Sequence, residues 1–195
     1  LEVSDPMALK YFEMCQKQIH RINNIVVDLI DITRMNHPDS YRAGSKTKID
    51  FKALVKECIL SYSYLNEFER IRFVTEIDES IVYHAEWAIV NTILQNLIEN
   101  AIKYTRTDTD PYVGVFISRE DDHLRLKVED NGQGILESYQ PKIFDMFFRA
   151  NDRTQGTGLG LYILKRAVER LNGEISFKSE INVGSSFTVI LPLSR

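Results

Sequence analysis

Cysteine is scarce in this chain. Cys15 and Cys58 are the only two in 195 residues, and they form no C-x-x-C pair. Without metal spacing, they suggest a reducing compartment and two buried thiols. The four histidines, His20, His37, His84 and His123, are scattered, none at ligand spacing from another His or Cys. That argues against a structural zinc site. Long apolar runs are missing too. None approaches the ~18 residues of a membrane span, so no membrane contact is expected of this chain. Residues 1–6 do not resemble a signal peptide. Neither sign of charge dominates: the net charge is −4, which leaves no electrostatic case for nucleic-acid binding as the main task. Internal repeats and low-complexity tracts are also absent.

What is present is an ordinary globular composition, 44% hydrophobic and 27% charged. The length suits one full domain plus an appendage. Residues 7–35 read as one long helix, in which Ile19, Ile22, Val26 and Leu29 step by threes and fours. Ile25, Ile30 and Ile32 broaden that stripe beyond a two-stranded seam. A helix this apolar asks for other helices against it. Those helices are expected from a second chain, from a preceding segment, or from both; packing on the domain that follows is the alternative. Residues 37–47 are polar and rich in turn formers and read as a linker. The predicted units are therefore 1–36, the linker 37–47, and a domain over 48–195.

Within that domain the spacing predicts a short strand at 48–51 and a helix over 52–68, with Leu54, Val55, Cys58, Ile59 and Tyr62 inward. Strands follow at 71–77 and 81–83, then a helix over 86–104. A hairpin of strands 112–119 and 123–129 leads into a long irregular segment, 130–156, with a short helix near 142–147. An irregular stretch of that length is usually a lid or binding loop. A helix over 158–171, capped by Asn172 and Gly173, and strands 174–179 and 185–191 complete the chain. This order predicts a two-layer α/β sandwich, a mixed and mostly antiparallel sheet with helices on one face.

Four clusters carry chemistry. On the helix over 86–104, Asn96, Asn100 and Lys103 fall on one narrow face with Glu99 at its edge, while Leu97, Ile98, Ala101 and Ile102 cover much of the rest. Such a stripe is either solvated or partnered; a metal ion and phosphate oxygens would partner it. The second cluster, Asp130-Asn131-Gly132-Gln133-Gly134-Ile135, follows a strand directly. It is either a common Asp-Asn-Gly turn or a place where the backbone approaches a ligand while Asp130 accepts from an amino group. The third, Ile143-Phe144-Asp145-Met146-Phe147-Phe148-Arg149, sets three phenylalanines in a polar loop, as a plug that docks and releases or as a fixed anchor. Arg149 either reaches phosphate or is solvated. The fourth, Gly156-Thr157-Gly158-Leu159-Gly160-Leu161, opens a helix whose free amides favour anions. It is not a P-loop, which needs Gly-Lys-Ser/Thr at its end, nor a dinucleotide fingerprint, which needs a strand immediately before it.

In this order and spacing the four clusters resemble the asparagine, first glycine, phenylalanine and second glycine boxes of sensor histidine kinases, within the GHKL ATPase/kinase superfamily of the Bergerat ATP-binding fold. The resemblance covers about residues 48–192 and includes the closing Gly184-Ser185-Ser186-Phe187-Thr188-Val189-Ile190-Leu191-Pro192. Residues 1–35 are similar to the second helix of the dimerisation and histidine-phosphotransfer hairpin, with Asp28-Leu29-Ile30-Asp31-Ile32-Thr33-Arg34 at its typical ending. The resemblance implies that Asn100 coordinates Mg2+ bridging the ATP phosphates. Asn96 would lie nearby, Lys103 contact phosphate, and Tyr104 pack beside the nucleotide. Asp130 would bind the adenine amine, with Gly132, Gly134 and Ile135 around it and Ser185 assisting. Phe144, Phe148, Arg149, Gly156, Thr157, Gly158, Leu159, Gly160 and Leu161 would complete the ATP site under a lid.

It further implies a protein-histidine kinase whose acceptor helix is not in this chain, and relay to a response-regulator aspartate. Homodimerisation through the N-terminal helix and a cytoplasmic location, free or as part of a membrane-bound sensor, also follow from the resemblance. His20, followed by Arg21-Ile22, departs from the acceptor pattern. Gyrase-like members carry Glu where Asn96 stands; an amide cannot activate water, which favours a kinase over a serine kinase or ATPase of the same superfamily. A non-catalytic nucleotide-binding dimerisation module is the remaining alternative.

Overall fold

The computed structural model describes residues 6–36, 45–64, 68–106, 108–150 and 157–193, with a subset of the side chains in the first helix. Helix α1 (Pro6–Asn36) is followed by β1 (Thr47–Lys48), α2 (Phe51–Leu60), β2 (Arg72–Ile77), β3 (His84–Ala85) and α3 (Trp87–Lys103). Strands β4 (Tyr112–Glu120) and β5 (His123–Asp130), helix α4 (Gly160–Arg170) and strands β6 (Glu174–Glu180) and β7 (Gly184–Pro192) complete it. The five-stranded sheet runs β2-β4-β5-β7-β6. Only the β2–β4 pair is parallel; β4–β5, β5–β7 and β6–β7 are antiparallel. The expected two-layer sandwich is therefore present.

Alternation on the strands explains the layering. Val113, Val115 and Ile117 of β4, Leu124, Leu126 and Val128 of β5, and Phe187, Val189 and Leu191 of β7 all point to one face and are buried. The register joins them in rows, with Val115 opposite Val128 and Leu126 opposite Val189. Helix α3 covers that face with Ile89, Val90, Ile93, Leu94, Leu97, Ile98, Ala101 and Ile102, a stripe at helical spacing. Helix α4 adds Ile163, Leu164, Ala167 and Val168. At the end of α4, Asn172 adopts φ 55° and the Gly173 N–H bonds the Val168 carbonyl at 3.0 Å, a left-handed cap at the expected residues.

Several boundaries depart from the periodicity. Helix α2 begins after Asp50, whose carboxylate accepts from the Ala53 N–H at 3.0 Å, but ends at Leu60 rather than 68. Ser61 Oγ bonds the Cys58 carbonyl at 2.7 Å, and serine side chains of this kind compete with helical continuation. The strand expected at 48–51 is only Thr47–Lys48, because Asp50 already caps the helix. The strand expected at 81–83 is instead His84–Ala85, paired with β1. Asp78 turns the preceding chain by accepting from Ser80 N–H and Oγ at 2.9 and 2.6 Å, while Ile81 and Tyr83 are buried without a ladder. The short helix near 142–147 is a single 3-10 turn, Gln140–Lys142. Helix α4 starts at Gly160, since Gly158 sits at φ +77°.

Among the described residues, α1 meets the domain toward its C-terminal end, where Asp28 accepts from Thr157 and Ile32 packs with Leu159 and Ile163. Ile19, Ile22, Val26 and Leu29 are exposed. Cys58 is buried as expected, but Cys15 is exposed, because its part of α1 lies away from the domain. Most of the linker, residues 37–44, lies outside the described residues, as does the His20 side chain. No helix among the described residues is long and apolar enough to cross a membrane.

Candidate functional site

A cleft of about 790 Å³ opens where α3, the segment after β5 and the start of α4 converge. That volume is within the range of small-molecule and cofactor sites. Its lining includes Asn96, Asn100, Lys103 and Tyr104 from α3, and Asp130, Gly134 and Ile135 from the first glycine cluster. Phe148, Arg149, Thr157, Gly158, Gly160, Leu161 and Ser185 also line it. Gly132, Phe144 and Leu159 stand behind this wall. Gly132 is backed by the Tyr104 carbonyl, Phe144 packs edge-on to Phe177 at 5.8 Å, and Leu159 is fully buried beside Ile32. Gly156 lies outside the described residues.

At one end, Asp130 closes β5. Its Oδ1 accepts from the Gly132 N–H at 2.8 Å, and the Ser185 backbone N–H adds a second bond. Burial outweighs both and pushes the carboxyl up to about 6, with Glu129 adding to the rise. A half-buried carboxylate held by two amides keeps lone pairs for a donor in the cleft. Asn131, by contrast, is structural: Oδ1 accepts from Tyr112 N–H at 2.8 Å and Nδ2 donates to the Asp110 carbonyl at 2.9 Å.

The glycine turn is anchored from residues that no local pattern marks. Ser179 Oγ accepts from the Ile135 N–H at 2.8 Å and lies 2.9 Å from Ser185 Oγ. Gln140 Nε2 donates to the Ile135 and Ser179 carbonyls at 3.2 and 3.1 Å. Gly134 has φ +67°, and a Cβ there would stand 2.0 Å from the Glu180 carbonyl oxygen. Only glycine permits both the turn and that approach.

At the other end, polar groups of α3 meet the start of α4. Asn96 Nδ2 donates to the Thr92 carbonyl at 2.8 Å, and a Cβ on Gly160 would come within 2.8 Å of Asn96 Oδ1. Burial lowers the Lys103 pKa, opposed by the charges of Glu99 and Asp28 and reinforced by that of Arg149. Glu99 is held from α2: Tyr62 OH donates to its Oε2 at 3.2 Å. Burial, then the Glu99 charge, drive the Tyr62 pKa upward, so it remains a neutral donor. Glu99, from the edge of the first cluster, also lines the cleft, and Tyr62, Gln95 and Thr92 extend the lining beyond the four sequence clusters, as does Asp28 from α1.

The donor set suits a hard cation brought in with phosphate. Two carboxamides and a carboxylate offer oxygen ligands, a lysine offers charge, and α4 presents its N-terminal amides. Among the described residues no group of three His, Cys, Asp or Glu side chains gathers to form an all-protein cage. Mg2+ is commonly held by one or two protein oxygens with phosphates and water completing its shell.

Comparison with known proteins agrees with this geometry. The family of histidine kinase-, DNA gyrase B- and HSP90-like ATPases matches residues 88–195. The chain is 28% identical to the signal transduction histidine-protein kinase AtoS of Escherichia coli over 194 residues, 99% of this chain and 30% of AtoS. It is 28% identical to the histidine protein kinase SaeS of Staphylococcus aureus over 188 residues, 92% of this chain and 52% of SaeS. It thus spans about half or less of the length of these curated relatives. The solved catalytic domain of histidine kinase ThkA superposes with a TM-score of 0.66 at 27% identity, covering 76% of this chain and 95% of that one. With the sheet order, the position of α3 and the cleft between two glycine clusters, these matches establish that the chain belongs to the histidine kinase-, DNA gyrase B- and HSP90-like ATPase family.

Proposed function

We propose that this chain is the catalytic part of a two-component sensor histidine kinase. It binds Mg-ATP in the cleft and transfers the γ-phosphoryl group to a histidine presented by another helix, for relay to an aspartate of a response-regulator receiver domain. The observation that supports this most is the polarity of the cleft. A half-buried carboxylate, Asp130, stands at one end; two amides, Lys103 and the N-terminus of α4 stand at the other. Asp130 would accept from the exocyclic amine of adenine, with Ser185 beside it. Gly134 and Ile135 would border the base, and Tyr104 and Phe148 would pack along the nucleotide. Asn100, with Asn96 near it, would hold Mg2+. Lys103, Arg149, Thr157, Gly158, Gly160 and Leu161 would surround the phosphates.

Phosphoryl transfer relies mainly on positioning and charge neutralisation. Bound Mg2+ would supply neutralisation of the phosphate oxygens. The chain's own residues orient the nucleotide: Asp130 fixes the base, and Lys103 and the α4 amides fix the phosphates. Asn96 spends its amide donor on the Thr92 carbonyl and has no basic atom, so it cannot activate water. This supports a kinase rather than a hydrolase. The unit 48–195 would be the ATP-binding domain, 37–47 the linker, and 1–36 the helix that pairs in a homodimer.

Calorimetry of ATP with Mg2+ against this chain and Asp130→Asn tests the site. Saturable binding that the substitution removes is expected; an unmutated chain that binds nothing at millimolar ATP would refute the reading. Transfer of labelled phosphate to an added histidine-bearing helix, and not to serine, tests the chemistry.

A further inference from the structure

Helix α1 enters the cleft. Thr157 Oγ1 donates to Asp28 Oδ2 at 2.6 Å, and the same oxygen accepts from the Leu159 N–H at 3.1 Å. One turn further along α1, Ile32 is 7% exposed, packed on Leu159 and Ile163. These partners flank the first turn of α4, the end of the cleft assigned above to phosphate. Asp28 lines the cleft together with Lys103 and Arg149, and its charge acts on Lys103. Upstream, Met7, Tyr11, Phe12, Ile19 and Ile22 are each more than half exposed, and among the described residues this hydrogen bond and this small apolar cluster join α1 to the domain.

A carboxylate in that position engages the Thr157 hydroxyl and sets negative charge where a polyphosphate would stand. Like charges in a partly desolvated cleft repel more strongly than in water. We propose that α1 is a built-in competitor of the nucleotide's phosphates: docked through Asp28 and Ile32, it lowers the affinity of the cleft for ATP, and ATP in turn loosens α1. This rests on the nucleotide reading of the cleft. Coupling between two binding events is reciprocal, and typical couplings amount to about 5- to 150-fold in affinity.

The cysteines allow a direct test on the whole chain. Cys15 on α1 is exposed and Cys58 is buried, so a thiol-reactive fluorophore marks α1 alone. Label mobility then reports docking without nucleotide, and calorimetry reports affinity for Mg-ATP and for adenosine, which carries no phosphate. Ile32→Ser is expected to raise label mobility. Asp28→Asn and Ile32→Ser are each expected to tighten Mg-ATP about tenfold and leave adenosine unchanged, and saturating ATP to mobilise the label on the unmutated chain.

Three results would overturn the competitor: equal ATP affinity in all three chains, weaker ATP binding by Asp28→Asn, or a label that Ile32→Ser does not release. Equal ATP affinities would leave the nucleotide site standing. Failure of every chain to bind either ATP or adenosine would remove the site and the competitor together.

Discussion

Asp130 has the most to reveal at the level of single residues. Its carboxyl is raised above the ordinary value of 3.8 to about 6, first by burial. The folded chain therefore binds a proton more tightly than the unfolded chain, and stability falls as pH rises from about 4 to about 6. Above that window the ionised carboxylate costs about 1–3 kcal/mol, by the rule of about 1.4 kcal/mol per pKa unit. Asp130→Asn is expected to raise the thermal midpoint at pH 7 while abolishing ATP binding, measured by calorimetry on one preparation. On the proposed contact between Asp130 and the amine of adenine, the ionised carboxylate is the stronger acceptor, so ATP affinity is also expected to weaken by up to about tenfold between pH 7 and pH 5. The thiols make a second contrast. Cys58 is buried and pushed up to about 11, chiefly by desolvation, whereas Cys15 is exposed. Maleimide is expected to modify one thiol in the native chain and two after urea, counted by mass spectrometry. Sequence alone assigns the same buried state to both, because exposure depends on where α1 ends its contact with the domain.

Among the elements, α3 is both core and site. Leu94, Leu97 and Ile98 are no more than 1% exposed, and Asn96, Asn100 and Lys103 share the opposite side. Leu94→Ala is expected to cost about 2–5 kcal/mol in urea unfolding, the usual range for a buried leucine truncated without collapse of the cavity. Gly134→Ala is expected to be destabilised by about 1–3 kcal/mol and to lose nucleotide affinity, since its methyl would meet the Glu180 carbonyl at a positive φ. Helical and strand periodicity is a local property, so α3, β4, β5 and β7 are legible in the chain. The end of α2 and the placement of β3 are not, because serine and aspartate side chains redirect the backbone there.

In the whole molecule, α1 carries more apolar surface than the domain covers. Ile19, Ile22, Val26 and Leu29 are 65%, 61%, 48% and 43% exposed. Contiguous exposed apolar surface of this kind marks an interaction face. The chain is expected to self-associate in a concentration-dependent way that Ile22→Glu weakens, read by sedimentation, while the Asp130 site and the urea midpoint of the domain stay as they were.

By itself the sequence determined the alternation that buries one face of the sheet, the amphipathic α3, and the four clusters whose order points to one family. Each depends on neighbours a few residues apart, where sterics, hydrogen bonding and periodicity act directly. Tertiary structure alone decided that Asp28 meets Thr157, 129 positions away, and that Tyr62 holds Glu99. It also decided that Ser179 and Gln140 anchor the glycine turn and that Cys15 remains in solvent. These depend on how layers pack, and packing brings together residues that no local pattern relates.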